Sequence, residues 1–140
     1  MFASSTGEAE VWAPAFWQAF IWSLAHDHNI LVLGTNAAAA AAMKRAGAEQ
    51  VGVGPYAIAE TISTVDVIVA SLNLLLPGAM LGEVTPEIVR TILGARAKEV
   101  LLPVNQACLE IGGGEASTLD ALIAHSLSRI RFLVSSVRHI

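Results

Sequence analysis

At 140 residues, with 54% hydrophobic and only 14% charged side chains and a net charge of −4, the chain is long enough for a buried core. Soluble domains carry about 25% charged residues, so a surface this poor in charge is expected to be covered in part by a second copy of the chain. The Lys and Arg residues are scattered with no basic run, which excludes a nucleic-acid footprint. A lone cysteine, Cys108, excludes an internal disulfide and fits a reducing, cytoplasmic setting.

The first ten residues read as flexible. Pro14 suits the first turn of a helix running to His26, because its missing N–H has no intrahelical acceptor there. The apolar stretch Val11–Ala25 spans about 15 residues, against the roughly 20 a membrane span requires. It contains Pro14 and Gln18 and follows Glu8 and Glu10 rather than a basic start, so no leader or membrane span is expected. Phe16, Phe20 and Leu24 share a stripe with Trp17 and Ile21 beside them, and Trp12 and Trp22 lie on other faces. A helix apolar over so much of its circumference is central or lies at an interface.

Ile30–Leu33 reads as a buried strand and Ala37–Ala46 as a helix capped by Thr35 or Asn36, with Gly47 ending it in a left-handed turn. Val51–Val53 is a short strand, Pro55–Ile62 a short helix and Val65–Ala70 a buried strand. Ser71–Gly82 is an apolar loop that includes Leu72 and Leu74–Leu76 and is expected to lie against something, a partner chain among the candidates. Thr85-Pro86-Glu87 starts a helix whose Ile88, Val89, Ile92 and Leu93 are expected to face inward. Val100–Val104 is a strand and Cys108–Ile111 a further short strand or edge. Gly112–Gly114 is a turn, and Ser117 with Asp120 resembles a capping box before a final helix with apolar residues at Leu119, Leu122, Ile123, Leu127, Ile130 and Val134. No repeat or linker divides the chain, which reads as one α/β domain over residues 1–140 with a mostly parallel sheet covered on both faces.

Three polar clusters follow predicted strands: Gly34-Thr35-Asn36, Ser71 with Asn73, and Asn105 with Gln106. In a parallel sheet they share the carboxyl edge, where hydroxyls, amides and helix N-terminal N–H groups suit a phosphate or carboxylate. The same residue types populate strand-to-helix turns simply because they make turns and caps. Glu83, just before a helix start, is a candidate acid or base, with a solvated or dipole-facing carboxylate as the favoured reading. His26 and His28 stand two apart, not the three or four that would align them on one helix face, so no metal site is read there. No nucleophile, base and metal set is assembled, and whether the chain is an enzyme stays open.

From LGTNAAAAAAMKRAGA onward the chain resembles the DUF3842 proteins, and the likeness continues through MLGEVTP at Met80–Pro86 and Ala97–Asn105 into the final helix. That resemblance implies a Rossmann-like fold and, because members open with a strand and a glycine-rich turn, nucleotide or phosphate binding. It adds Gly82 and Thr85 to Gly34, Thr35, Asn36, Glu83 and Asn105 as residues carried over individually. Residues 1–10 here hold only Gly7 and no apolar strand, so the first strand is expected to be missing or rearranged. A start site placed too late, a rearranged sheet or strands completed by an oligomer would each account for that. The low charge favours a homo-oligomer, its interface on the Trp12, Trp17 and Trp22 helix or the Leu72–Leu81 loop. The functional expectation is a small anionic ligand or nucleotide at the carboxyl edge; the alternative is a non-catalytic assembly subunit with a degenerate site.

Overall fold

Val32 and Leu33 point to opposite sides of their strand, and so do Val67 and Val69 against Ile68 and Ala70; every one of these side chains is buried. A strand buried on both faces needs helices above and below it. The computed structural model, which describes residues 2–4, 13–79, 82–103 and 118–137, supplies them. Its elements run β1 (Phe2–Ser4), α1 (Ala13–Leu24), β2 (Val32–Gly34), α2 (Ala37–Arg45), β3 (Val51–Val53), α3 (Gly54–Ile62), β4 (Val67–Ser71), a 3₁₀ turn (Leu72–Leu75), α4 (Pro86–Leu93), β5 (Lys98–Leu102) and α5 (Leu119–Val137).

The five strands form one parallel sheet in the order β3-β2-β1-β4-β5. One face packs against α1, α2 and α5 through Trp17, Phe20, Leu24, Met43, Ile123, Leu127 and Ile130. The other packs against α3 and α4 through Ile58, Ile62, Val84, Ile88, Val89 and Ile92. This is a small doubly wound, Rossmann-like α/β fold. Strand order reverses between β1 and β4, the place where such sheets open a crevice.

The central strand corrects one expectation. Phe2–Ser4, within the stretch read as flexible and strandless, pairs with β2 on one side and β4 on the other: Phe2 is in register with Val32 and Val69, Ala3 with Leu33 and Ala70. Two neighbours satisfy its backbone groups, so three residues suffice, and three residues show no periodicity to read. Residues 5–10, where the resemblance would put a glycine-rich turn and the sequence has only Gly7, lie outside the described residues.

Local signals in the middle of the chain match the structure closely. Asn36 caps α2, its Oδ1 accepting from the Ala39 N–H at 2.9 Å. Gly47 closes the helix at φ 105°, with the Ala48 N–H bonded back to the Met43 carbonyl at 3.1 Å. Thr85 caps α4, Oγ1 accepting from Ile88 N–H at 3.3 Å, with Pro86 in its first turn. Helix α5 is capped by Thr118, whose hydroxyl accepts from the Ala121 N–H at 3.2 Å; Ser117, read as the cap, lies outside the described residues, as do Cys108–Ile111 and Gly112–Gly114. Leu93, expected to face inward, is 59% exposed, because α4 ends there and its buried stripe is Ile88, Val89 and Ile92.

Two interface expectations also change. Trp17 is 3% exposed and stacks on Phe20 inside the chain's own core, so it is no surface contact. Leu74, from the loop for which a partner chain was one candidate cover, is fully buried beneath α4 within the same chain. The side chains of Trp12 and Trp22, and Leu81, lie outside the described residues.

Candidate functional site

The carboxyl edge is built from the turn after β2 and the long connection from β4 to α4. Gly34 ends β2 directly beneath α2: a Cβ there would stand 2.7 Å from the Ala40 backbone nitrogen. Glycine at this position therefore lets the helix start close above the strand, and that start aims Thr35 and Asn36 outward along the edge.

The β4–α4 connection is held by its own hydrogen bonds. Ser71 is fully buried, and its Oγ accepts from the Asn73 N–H at 3.1 Å, opening the 3₁₀ turn. Gly78 N–H donates to the Val84 carbonyl at 2.8 Å, and Val84 N–H to the Ala79 carbonyl at 3.3 Å. Gly82 sits at φ 88°, a left-handed conformation that suits glycine. Val84 is buried against α4, so Glu83 beside it is carried on a fixed stretch of backbone.

Glu83 reaches the turn after β2. Its Oε2 accepts from Thr35 Oγ1 at 2.8 Å and its Oε1 from Asn36 Nδ2 at 2.7 Å. Asn36 thus works at both ends, its oxygen capping α2 and its amide nitrogen holding the carboxylate. In the sheet β1 lies between β2 and β4, so the β4–α4 connection spans the edge above the strand-order reversal. Each carboxylate oxygen is taken by a neutral donor. A carboxylate has about four lone-pair directions, so acceptor capacity remains beyond these two bonds.

Of the residues expected at this edge, Thr35, Asn36 and Glu83 form one bonded cluster, with Thr85 two residues beyond Glu83. Asn73 lies half-buried in the same connection. Gly34 and Ser71 have structural work: a close helix approach and a buried turn. Asn105 lies outside the described residues. Among the described residues no group of His, Cys, Asp and Glu forms a metal cluster, and no helix is long and apolar enough to cross a membrane.

Sequence reasoning missed a second concave region at the opposite, amino edge. The connections entering β2 and β3 meet there, bringing His26, His28 and Asn29 beside Glu49 and Gln50, with Trp17 behind them. The signal was available: segments preceding adjacent parallel strands must share the amino edge, just as those following them share the other.

A parallel sheet of this order with a polar, carboxylate-bearing edge at its reversal point defines a doubly wound α/β protein of Rossmann type. The chain belongs to the family described as Domain of unknown function (DUF3842), which matches residues 18–135. Comparisons with curated proteins and with solved structures gave no significant match.

Proposed function

We propose that this chain is a ligand-binding α/β domain that takes a nucleotide at the carboxyl edge of its sheet. The observation that carries this reading is the Glu83 carboxylate held by Thr35 and Asn36 across the strand-order reversal. A bare anion would meet like charge at Glu83. A nucleotide presents ribose hydroxyls that donate to a carboxylate, while Thr35, Asn36, Asn73 and Thr85 offer further hydroxyl and amide groups along the same edge. Gly82 shapes the connection that carries Glu83. No catalytic step is assigned to Glu83 in this reading.

The test is a titration of ¹⁵N-labelled protein with adenosine monophosphate, its 2′-deoxy counterpart and inorganic phosphate. Saturable shifts at Thr35, Asn36 and Glu83, stronger for the ribonucleotide and lost in Glu83→Gln, are the expected result. Phosphate binding as well as the nucleotide, or no saturable shift at this edge, overturns the reading.

A second reading, an assembly subunit, is favoured by a different observation. Val53 of β3 and Tyr56 of α3 are 47% and 79% exposed, and among the described strands β3 is the last on its side of the sheet. Self-association through that edge predicts a defined oligomer in native mass spectrometry that Tyr56→Glu breaks; a monomer at tens of micromolar rejects it.

A further inference from the structure

We propose that the outward face of α5 docks an acidic segment of another protein, with Phe132 as the apolar contact and Arg129 and Arg131 as the charges. The chain is acidic overall, yet all twelve Asp and Glu residues lie at or before Asp120, while Arg129, Arg131 and Arg138 lie after it. Helix α5 turns Ile123, Leu127 and Ile130 onto the sheet and leaves His125, Ser128, Arg129, Phe132, Ser135 and Ser136 exposed at helical spacing. Asp120, the helix's own acid, stands nine residues before Arg129, about 13 Å along the axis. Asp66 meets α5 from the sheet side, in a cleft shared with Ile130 and Val134. The outward stripe therefore carries positive charge with no carboxylate of its own helix to neutralise it.

Phe132 is 60% exposed, one of four large hydrophobic side chains left so among the described residues. The Arg129 guanidinium lies 5.2 Å from its ring centroid, a cation–π contact that holds the charge beside the ring. Arg131 Nη2 donates to Ser23 Oγ at 2.7 Å, which fixes the second guanidinium between α5 and α1. A guanidinium carries five N–H donors, so one such bond leaves capacity to take a carboxylate. An exposed aromatic beside held arginines is the composition of interface hot spots. The charge decides the occupant. A second copy laid on the same stripe would set Arg129 and Arg131 against like charges, with no acid on the stripe to pair with them. A bilayer needs a broad apolar face, and α5 spends its own on the sheet, leaving Phe132 as the large apolar side chain of the stripe. An acidic segment with an apolar side chain pairs both arginines and covers the ring. None of these residues belongs to the Glu83 edge, so the proposal stands independently of the nucleotide reading.

The probe is the end-blocked peptide EELFEELEE, with QQLFQQLQQ as its uncharged counterpart. Titrated into ¹⁵N-labelled protein at low salt, the acidic peptide is expected to shift the amide signals of Arg129, Arg131 and Phe132 saturably. The glutamine peptide is expected to bind at least tenfold more weakly, and added salt to weaken the acidic one. Exchanging both charges, Arg129→Glu with Arg131→Glu, abolishes the shifts. Phe132→Ala keeps both charges at an exposed position and separates docking from ion pairing alone; it is expected to weaken the acidic peptide at least fivefold. A glutamine peptide that binds as tightly, undiminished binding in Phe132→Ala, or no saturable shift along α5 overturns the proposal. Self-association that Phe132→Asp abolishes assigns the face to a second copy instead, and sedimentation with phosphatidylglycerol vesicles that Phe132→Ala abolishes assigns it to a lipid surface; either result overturns the proposal as well.

Discussion

Thr35 Oγ1 donates to Glu83 Oε2 at 2.8 Å, closing a contact between residues 48 positions apart. With Asn36 Nδ2 on the other oxygen at 2.7 Å, it binds the β4–α4 connection to the start of α2. Glu83→Ala leaves both half-buried donors without this acceptor and is expected to cost about 1–2 kcal/mol. Glu83→Gln is milder, under about 1 kcal/mol, because its oxygen accepts from Asn36 while its amide donates to the Thr35 hydroxyl. Thermal unfolding should therefore rank parent, Gln, Ala in falling order. Equal melting temperatures for all three would mean that the bridge carries no stability.

Asn36 supports a sharper test, since its two side-chain atoms do different jobs. Asn36→Ser keeps an oxygen to cap α2 and loses the amide that holds Glu83, at a cost of about 1 kcal/mol. Asn36→Asp also keeps a good cap, yet places a second carboxylate against Glu83. Like charge raises the folded-state pKa of the introduced carboxylate above its unfolded value. The folded state then binds more protons, so the deficit of Asn36→Asp is largest at pH 7 and shrinks as pH falls through roughly 4. Asn36→Ser should show no such recovery relative to the parent. Urea unfolding at both pH values measures it, and a deficit for Asn36→Asp that ignores pH would reject the charge argument.

Much of this site is legible in the sequence. Residue types after each strand placed Gly34–Asn36 and the region of Glu83 on one edge, and a cap at Asn36 follows from its position before an alanine run. What could not be read was the bond joining them, because sequence pattern carries strand order only weakly and this contact needs β2 and β4 to flank β1. The three-residue β1 was invisible for a related reason: its stability comes from two neighbours, not from its own pattern. Trp17 was misplaced as a surface residue because an all-round apolar helix looks the same whether a core or a partner covers it.

Gly34 at the end of β2 and Gly52 in the middle of β3 separate packing from flexibility. At Gly34 an added methyl meets backbone, 2.7 Å from Ala40 N and 3.1 Å from Asn36 O. At Gly52 it meets the end of a flexible side chain, Leu33 Cδ2, at the same 2.7 Å, and the Ala57 Cβ at 3.2 Å. Backbone cannot step aside without moving α2, so Gly34→Ala is expected to cost about 2–3 kcal/mol and Gly52→Ala clearly less. Chemical denaturation distinguishes them. If the two variants unfold alike, the close seat of α2 on β2 is not what requires glycine at position 34.

Glu99 offers a titration handle on the sheet itself. It lies half-buried on β5, and burial pushes its carboxyl pKa up. A carboxyl with a folded-state value above its unfolded one costs nothing while protonated. Its penalty appears as pH rises through the folded value and is fully present at neutrality. Glu99→Gln removes the charge and keeps the shape. The variant should melt above the parent at pH 7, with the gap closing as pH falls to roughly 4 and below. The neighbouring pairing of β5 with β4, Ile68 in register with Glu99, is backbone work and is unchanged by the substitution. Calorimetry across that pH range decides the matter: a parent that is the more stable protein at pH 7 would show that its carboxylate has a stabilising partner outweighing burial.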